Sequence, residues 1–214
     1  MSILQLPSDL YRTIQQYVNI NPLLNTSNKL HNEKYELYYW NINHKSSYEY
    51  YTLDEFRNTV NDKMHKTLKQ LALNLSGFYV VRDVSILRNT HTLNLSNCKY
   101  VGDVSALGNV YDLNLSGCIN VYDVSALGNV HILNLSSCGN VYKVNELKNV
   151  HTLDLCNCPN LRDVSKLGNV HTLNISYCKK ITCINALRNV HTLYLYNCNP
   201  ELDISALINV NIIR

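Results

Sequence analysis

From Leu71 onward, apolar and polar positions recur with a period of 20 residues, seven times over, as H-T-L-N-L-S-x-C-x-x-V-x-D-V-S-x-L-x-N-V. The seven units run from Leu71 to Val210 and leave the stub Asn211 to Arg214. Self-similarity at such a period marks a solenoid, in which one supersecondary unit stacks on the next. In Leu113-Asn114-Leu115 apolar residues flank a polar one, the alternation of a half-buried strand, so each unit supplies one short parallel strand. On the return leg Val121, Val124, Leu127 and Val130 are spaced by three, and Ser125 stands where it caps a single helical or 3₁₀ turn. One unit buries too little to offset the ordering of its own backbone, so stability belongs to the stack. Seven strands about 4.8 Å apart predict a curved slab about 29 Å long, with the parallel sheet on its concave side.

The first 70 residues lack this period and read as a separate helical unit. Leu6, Leu10, Ile14, Tyr17 and Val18 fall on one helical face after Pro7, and Asn21-Pro22 ends that helix. Leu23, Leu24 and Leu30 mark a second. Phe56, Val60, Met64 and Leu68 recur every four residues behind Asp54, a capping residue. They predict a third helix that leads into the first repeat and covers the open end of the solenoid. The chain thus divides into a helical domain over 1–45, a Tyr-rich connector and capping helix over 46–70, and a repeat solenoid over 71–214, an α+β fold.

Read across the unit boundary, Val110-x-x-Leu113-x-Leu115-x-x-Cys118-x-x-Val121 fits the leucine-rich-repeat signature, met six times with Cys and once with Phe78. The return leg D-V-S-x-L-x-N-V resembles the short internalin-type repeats, which are 22 residues long where these have 20. Leu6-Pro7-Ser8-Asp9-Leu10, Ile14, Tyr17-Val18, Asn21-Pro22-Leu23-Leu24 and Trp40 together resemble an F-box. The whole order of F-box-like segment, Tyr-rich connector and Asn-rich repeats is similar to the F-box and leucine-rich-repeat proteins of giant DNA viruses that infect amoebae (Mimivirus-like). That resemblance implies a box docked on a Skp1-like adaptor of a host cullin ubiquitin ligase, with Leu6, Pro7, Leu10, Ile14 and Leu23 facing the adaptor, while the repeats hold a substrate protein.

Composition narrows the alternatives. The chain has 46% hydrophobic and 16% charged residues, enough apolar mass for a folded core. Its 19 basic and 16 acidic residues, net +3, are spread along it, without the basic footprint of a nucleic-acid or anionic-membrane binder. No apolar run approaches the ~20 residues that span a bilayer, and Met1 to Leu10 lacks the features of a signal peptide. The 31 Asn and 16 Tyr reflect A/T-rich codons, and sequons such as Asn94-Leu95-Ser96 on a packed surface favour a cytoplasmic protein, in the host cell if viral.

The repeated columns carry little catalytic chemistry. Cys98, Cys118, Cys138, Cys158, Cys178 and Cys198 share one position and read as an inward ladder of free thiols rather than disulfides or a metal site, since zinc needs four converging ligands. His91, His131, His151, His171 and His191 form an edge column interrupted by Tyr111, with no nucleophile repeating beside them. The asparagines from Asn89 to Asn209 read as a left-handed corner, and Asp83, Asp103, Asp123, Asp163 and Asp203 as turn caps. No cofactor or metal is expected, and the pattern argues against an enzyme.

Binding remains. The exposed strand face is mostly Thr, Asn and Ser, and the pattern breaks toward the C-terminus at Asp154 and Cys156, then Tyr177, Tyr194 and Tyr196 beside Asn174. Aromatic side chains are enriched at binding hot spots. These tyrosines form either a recognition patch or a shield over the final repeat. The function expected is protein-protein interaction, either as a substrate-recruiting ligase subunit or as a repeat scaffold whose helices merely cap the stack.

Overall fold

The structure, a computed structural model, describes residues 39–67 and 70–214. The expected adaptor-facing residues Leu6, Pro7, Leu10, Ile14 and Leu23, and with them the first two expected helices, lie outside the described residues. Among those described, one parallel sheet runs in strict sequence order. Its strands are β1 (Tyr39–Asn41), β2 (Gln70–Asn74), β3 (Thr92–Asn94), β4 (Asp112–Asn114), β5 (Ile132–Asn134), β6 (Thr152–Asp154), β7 (Thr172–Asn174), β8 (Thr192–Tyr194) and β9 (Asn211–Ile213). Two helices, α1 (His44–Thr52) and α2 (Asp54–Thr67), sit between β1 and β2. The fold is a leucine-rich-repeat solenoid with a small helical region at its N-terminal end.

Within a repeat the inward column is the apolar spacing made physical. Leu93, Leu95, Cys98, Val101, Val104, Leu107 and Val110 are all buried, and so are their counterparts in the repeats on either side except Phe78, which is partly buried. Spacing by three serves the backbone as well as the side chains. The N–H of Cys98 donates to Leu95 O, Val101 to Cys98, Leu107 to Val104 and Val110 to Leu107, so amides that enter the core with their side chains find partners three residues back. The short 3₁₀ turns, such as Ser125–Leu127, are the regular part of this pattern. Their cap is not the serine hydroxyl expected from sequence. Asp123 Oδ1 accepts the Ser125 N–H at 2.9 Å, and Asp83, Asp103, Asp163 and Asp203 do the same in their repeats. Those backbone bonds hold each of these carboxyls below the usual carboxylate range.

The left-handed corner lies elsewhere than expected. It falls not on the Asn89 to Asn209 column but on the residue before each cysteine position: Gly77, Asn97, Gly117, Ser137, Asn157, Tyr177 and Asn197, with φ between 49° and 73°. The reason is the hydrogen-bond path. At Asn97 the N–H still reaches the next strand, donating to Ser116 O at 2.7 Å, while the following Cys98 N–H must turn back to Leu95 O. A single left-handed residue makes that reversal, and Gly and Asn adopt it with least strain.

At the N-terminal end the structure adds elements that the repeat period does not contain. The Asn43 side chain caps α1 by accepting the Ser46 N–H, and the Arg57 guanidinium donates to the carbonyls of Tyr50 and Tyr51 at its far end. Ser47, fully buried, donates to Ile42 O and accepts the Asn74 N–H, which ties α1 to β2. Tyr50 bonds Asn61 of α2, whose apolar stripe Phe56, Val60 and Met64 packs on the same core. The third expected helix is present as α2, which packs on α1, and it is α1 that lies against β2; Leu68 of the expected stripe lies outside the described residues. The expected boundary at residue 45 falls inside α1, and β1 belongs to the solenoid sheet. Phe78 occupies the cysteine position where no repeat precedes it, and it stacks on His44 at 4.2 Å and against Tyr48 at 4.7 Å.

The stub at the other end also becomes a strand. From β2 to β8 each pairing joins residues 20 apart, but β8 pairs with β9 at an offset of 19, Leu193 opposite Ile212. The one-residue slip turns Ile212 rather than Ile213 toward the core, because neighbouring residues of a strand face opposite ways.

Candidate functional site

Three surfaces are built by the repeat, and the cysteines underlie them. Each ladder thiol donates to a carbonyl of the preceding repeat: Cys98 to Leu75 at 3.0 Å, Cys118 to Leu95 at 3.1 Å, and on to Cys198 to Ile175 at 3.2 Å. Leu95 O then carries two bonds, one from Cys98 N–H and one from Cys118 Sγ. A small apolar side chain with one weak donor fits that place. Burial pushes the Cys118 thiol up to about 12 and those of Cys138 and Cys178 up to about 11, so the ladder is protonated and structural. Among the described residues, no three His, Cys, Asp or Glu side chains gather as metal ligands.

The histidine edge is a continuous stack. His91, Tyr111, His131, His151, His171 and His191 lie ring on ring, centroids 4.6 to 4.8 Å apart and planes within 24°. Tyr111, expected to interrupt the column, completes it. Nδ1 of His91, His151 and His171 lies 3.2 Å from the hydroxyl of the following threonine. Burial lowers the pKa of His91, and that of His171 is lowered by burial and then by His151 and His191.

On the sheet face, Asn94 Oδ1 accepts the Ser96 N–H at 2.9 Å, a turn cap repeated by Asn74, Asn114, Asn134 and Asn174. Asp154 does the same for Cys156 at 2.8 Å. Asp154 and Asn174, expected at the recognition patch, thus each commit one oxygen to their own turn. Cys156 is half-buried, its thiol raised by burial and then by Asp154 and Cys198.

In the seventh repeat the capping position is Tyr194, whose only side-chain oxygen lies at the far end of its ring, out of reach of the turn. The orphaned Tyr196 N–H is taken instead by Ser176 Oγ of the repeat before, at 3.1 Å. Ser176, between Cys156 and Tyr196 in its column, is only 2% exposed, whereas Ser96, Ser116 and Ser136 are half-exposed. Tyr177 sits at φ 62°, the left-handed corner, and donates its N–H to Tyr196 O at 2.7 Å. Its ring is 49% exposed and that of Tyr196 43%, while Tyr194 is half-buried between Asn174 and Ile213 in neighbouring strands. The structure therefore brings Tyr177, Tyr194, Tyr196 and Cys156 to one end of the sheet and its rim.

A third surface was not singled out from sequence. On the corner after the cysteines, Tyr122, Asn140, Tyr142, Asn160, Arg162 and Asp163 line an open groove of about 800 Å³. Its sequence signal was the tyrosines at variable repeat positions, where burial is not required.

No protein-family profile matches the chain, and no curated protein does. Among solved structures it is similar to an internalin (InlF) from Listeria monocytogenes, 18% identical over 68% of this chain and 60% of that one, with a TM-score of 0.42. It is also similar to internalin C2 of the same bacterium, 19% identical over 66% of this chain and 79% of that one, TM-score 0.38. A leucine-rich-repeat protein from Leptospira interrogans is 15% identical over 68% of this chain and 60% of that one, TM-score 0.31. The chain spans about 60% of the length of the first of these.

Proposed function

We propose that this chain is a cytoplasmic protein-binding scaffold that holds a target protein on the C-terminal end of its sheet face. Tyr177, Tyr194 and Tyr196 are its anchors, and the N-terminal segment links the target to a Skp1-like adaptor of a cullin ubiquitin ligase. The observation that carries the binding site is Tyr177. A bulky residue in the left-handed region is strained by roughly 1–2 kcal/mol, and six other repeats fill that corner with Gly, Asn or Ser. The strain is not offset by burial, because the ring stays half in solvent. An exposed aromatic kept at a conformational cost is what a contact residue looks like, and a shield over the last repeat would bury its rings instead. The adaptor half rests on Leu6, Pro7, Leu10, Ile14 and Leu23, whose pattern resembles an F-box.

One set of variants tests both halves. Tyr177→Asn is expected to raise the melting temperature, by about 1 kcal/mol of stability, while abolishing capture of the target. Unchanged capture with the same rise sinks the patch. Leu10→Asp with Ile14→Asp is expected to abolish binding of recombinant Skp1 and leave target capture intact. If the parent chain itself does not bind Skp1, what stands is the repeat scaffold without a ligase role.

A further inference from the structure

The corner groove lies away from the tyrosines of the sheet face and has a different chemistry. Its floor holds two asparagine amides, Asn140 Nδ2 donating to Ile119 O and Asn160 to Gly139 O, and Asn120 beside the groove donates likewise to Lys99 O, each at 2.8 Å. These bonds cross from one repeat to the preceding one, so the floor is fixed by the stack rather than by solvent-facing loops. Tyr122 and Tyr142 stand on it in successive repeats, 62% and 51% exposed, which leaves two aromatic faces displayed on a rigid base. Aromatic rings displayed in this way supply contact area with few rotors to freeze on binding.

The groove has a polarity. Past the tyrosines the same position becomes Arg162, and Lys180 of the next repeat donates its Nζ to Asn160 Oδ1 at 2.9 Å, which seats a second cation at that end. Asp163, the carboxylate in the lining, is turned toward its own backbone by its bond to the Ser165 N–H. No described carboxylate forms an ion pair with Arg162. One end therefore offers the ring of Tyr122 and that of Tyr142, which has Lys143 Nζ 5.6 Å from its centroid, and the other end adds the two positive charges of Arg162 and Lys180. From Tyr122 to Lys180 is three repeat steps, about 14 Å, the reach of four or five extended residues.

We infer that this groove binds an extended peptide segment of a partner protein, apolar or aromatic side chains over Tyr122 and Tyr142 and a carboxylate-bearing residue at Arg162 and Lys180. Aromatic and basic residues together also suit a single-stranded nucleic acid. A nucleic acid would carry a phosphate past each of the carboxylates of Asp103, Asp123 and Asp163, which stand in a neighbouring row, whereas a peptide brings its carboxylate only to Arg162 and Lys180, so the peptide is favoured. This site is independent of the adaptor and of the sheet-face patch.

The test is fluorescence anisotropy on the full chain with three labelled probes: an alternating Glu-Phe peptide, the matching Lys-Phe peptide, and oligouridine. The Glu-Phe peptide is expected to saturate, with affinity falling on added salt and dropping about tenfold in Tyr142→Ser and in Arg162→Glu, the loss typical of a hot-spot side chain. The double variant Arg162→Glu with Lys180→Glu is expected to prefer the Lys-Phe peptide. Tyr177→Asn leaves binding unchanged, which separates this site from the sheet face. All of these substitutions are at exposed side chains, and matching melting curves confirm that the variants are folded. The proposal is overturned if the Glu-Phe peptide fails to saturate the parent chain, if both peptides bind equally, if oligouridine binds more tightly, or if Tyr142→Ser leaves the affinity unchanged.

Discussion

The imidazoles of His151 and His171 lie face to face, with centroids 4.6 Å apart and planes 10° apart. Such a pair is comfortable when neutral and repulsive when both rings are charged. The pKa of His171 is lowered from the usual 6.5 by burial and by the two flanking imidazoles, and that of His91 by burial. A histidine lowered on folding binds fewer protons in the native than in the unfolded state, so its contribution is full above pH 6.5 and is lost as pH falls through that value. Melting temperature is expected to be level from pH 8 to 7 and to decline from 6.5 to 5. His151→Gln should flatten that decline, and Tyr111→His, which makes an unbroken histidine row, should steepen it. A slope identical in all three chains would show that the stack does not sense protons. The capping aspartates act in a separate window, with stability lost only as pH falls below the ordinary carboxylate value near 3.8.

The thiols should divide by exposure rather than by position in the sequence. Cys183 is exposed and Cys156 and Cys198 are half-buried, while the five remaining cysteines are buried. At pH 8 a thiol raised to about 11, as at Cys138, is ionised to roughly one part in a thousand even before access is considered. Alkylation of the native protein is expected to show one fast site, removed by Cys183→Ser, two slower ones, and five that react only on unfolding. Mass mapping of the labelled sites that finds the ladder modified alongside Cys183 would mean the stack opens readily.

Thr90 holds a place that is Val110, Val130, Val150, Val170 and Val190 in other repeats, and its buried hydroxyl has no hydrogen-bond partner. Removing an unsatisfied buried hydroxyl without changing side-chain shape is expected to stabilise by about 1 kcal/mol or more, about 2–4 °C in Tm for a chain of this size. Thr90→Val should therefore melt higher than the parent, and a lower melting temperature would show that the hydroxyl is satisfied in solution.

Phe78 fills the gap that a thiol fills elsewhere, and Phe78→Cys is expected to cost about 1–3 kcal/mol, less than a fully buried Phe truncation because the ring is only partly buried. The damage should be local. Hydrogen exchange is expected to quicken in α1 and β2 and to be unchanged around Leu133 and Leu153, in the middle of the stack. Uniform loss of protection would mean the chain unfolds as one unit.

What the sequence made legible follows from burial. Leu93, Leu95, Cys98 and the valines at three-residue spacing had to face inward, so strand, return leg and thiol ladder could all be read from one repeated unit. Elements held by polar contacts were not legible. α1 buries Ser46, Ser47 and Tyr50, and two of those three carry no apolar signal. The complete Asn column points to the wrong corner, because Asn tolerates the left-handed conformation but does not dictate it. The path of the amides dictates it, and the path turns at Asn97, Gly117 and their equivalents. At the candidate site the tyrosines were visible as breaks in the pattern. The means by which Tyr194 is accommodated was not, because the replacement bond comes from Ser176 in another repeat.

The constant 20-residue offset from β2 to β8 gives the gene a unit of currency-free exchange: a block of twenty codons copied or lost between those strands leaves every remaining pair in frame. The chain can lengthen or shorten by recombination in steps of one strand, carrying a surface residue along the axis by about 4.8 Å each time. The two termini of the stack are excluded from this traffic, Phe78 because it answers to His44 and β9 because its offset is 19. Interior repeats are thus interchangeable parts, and the end pieces are bespoke.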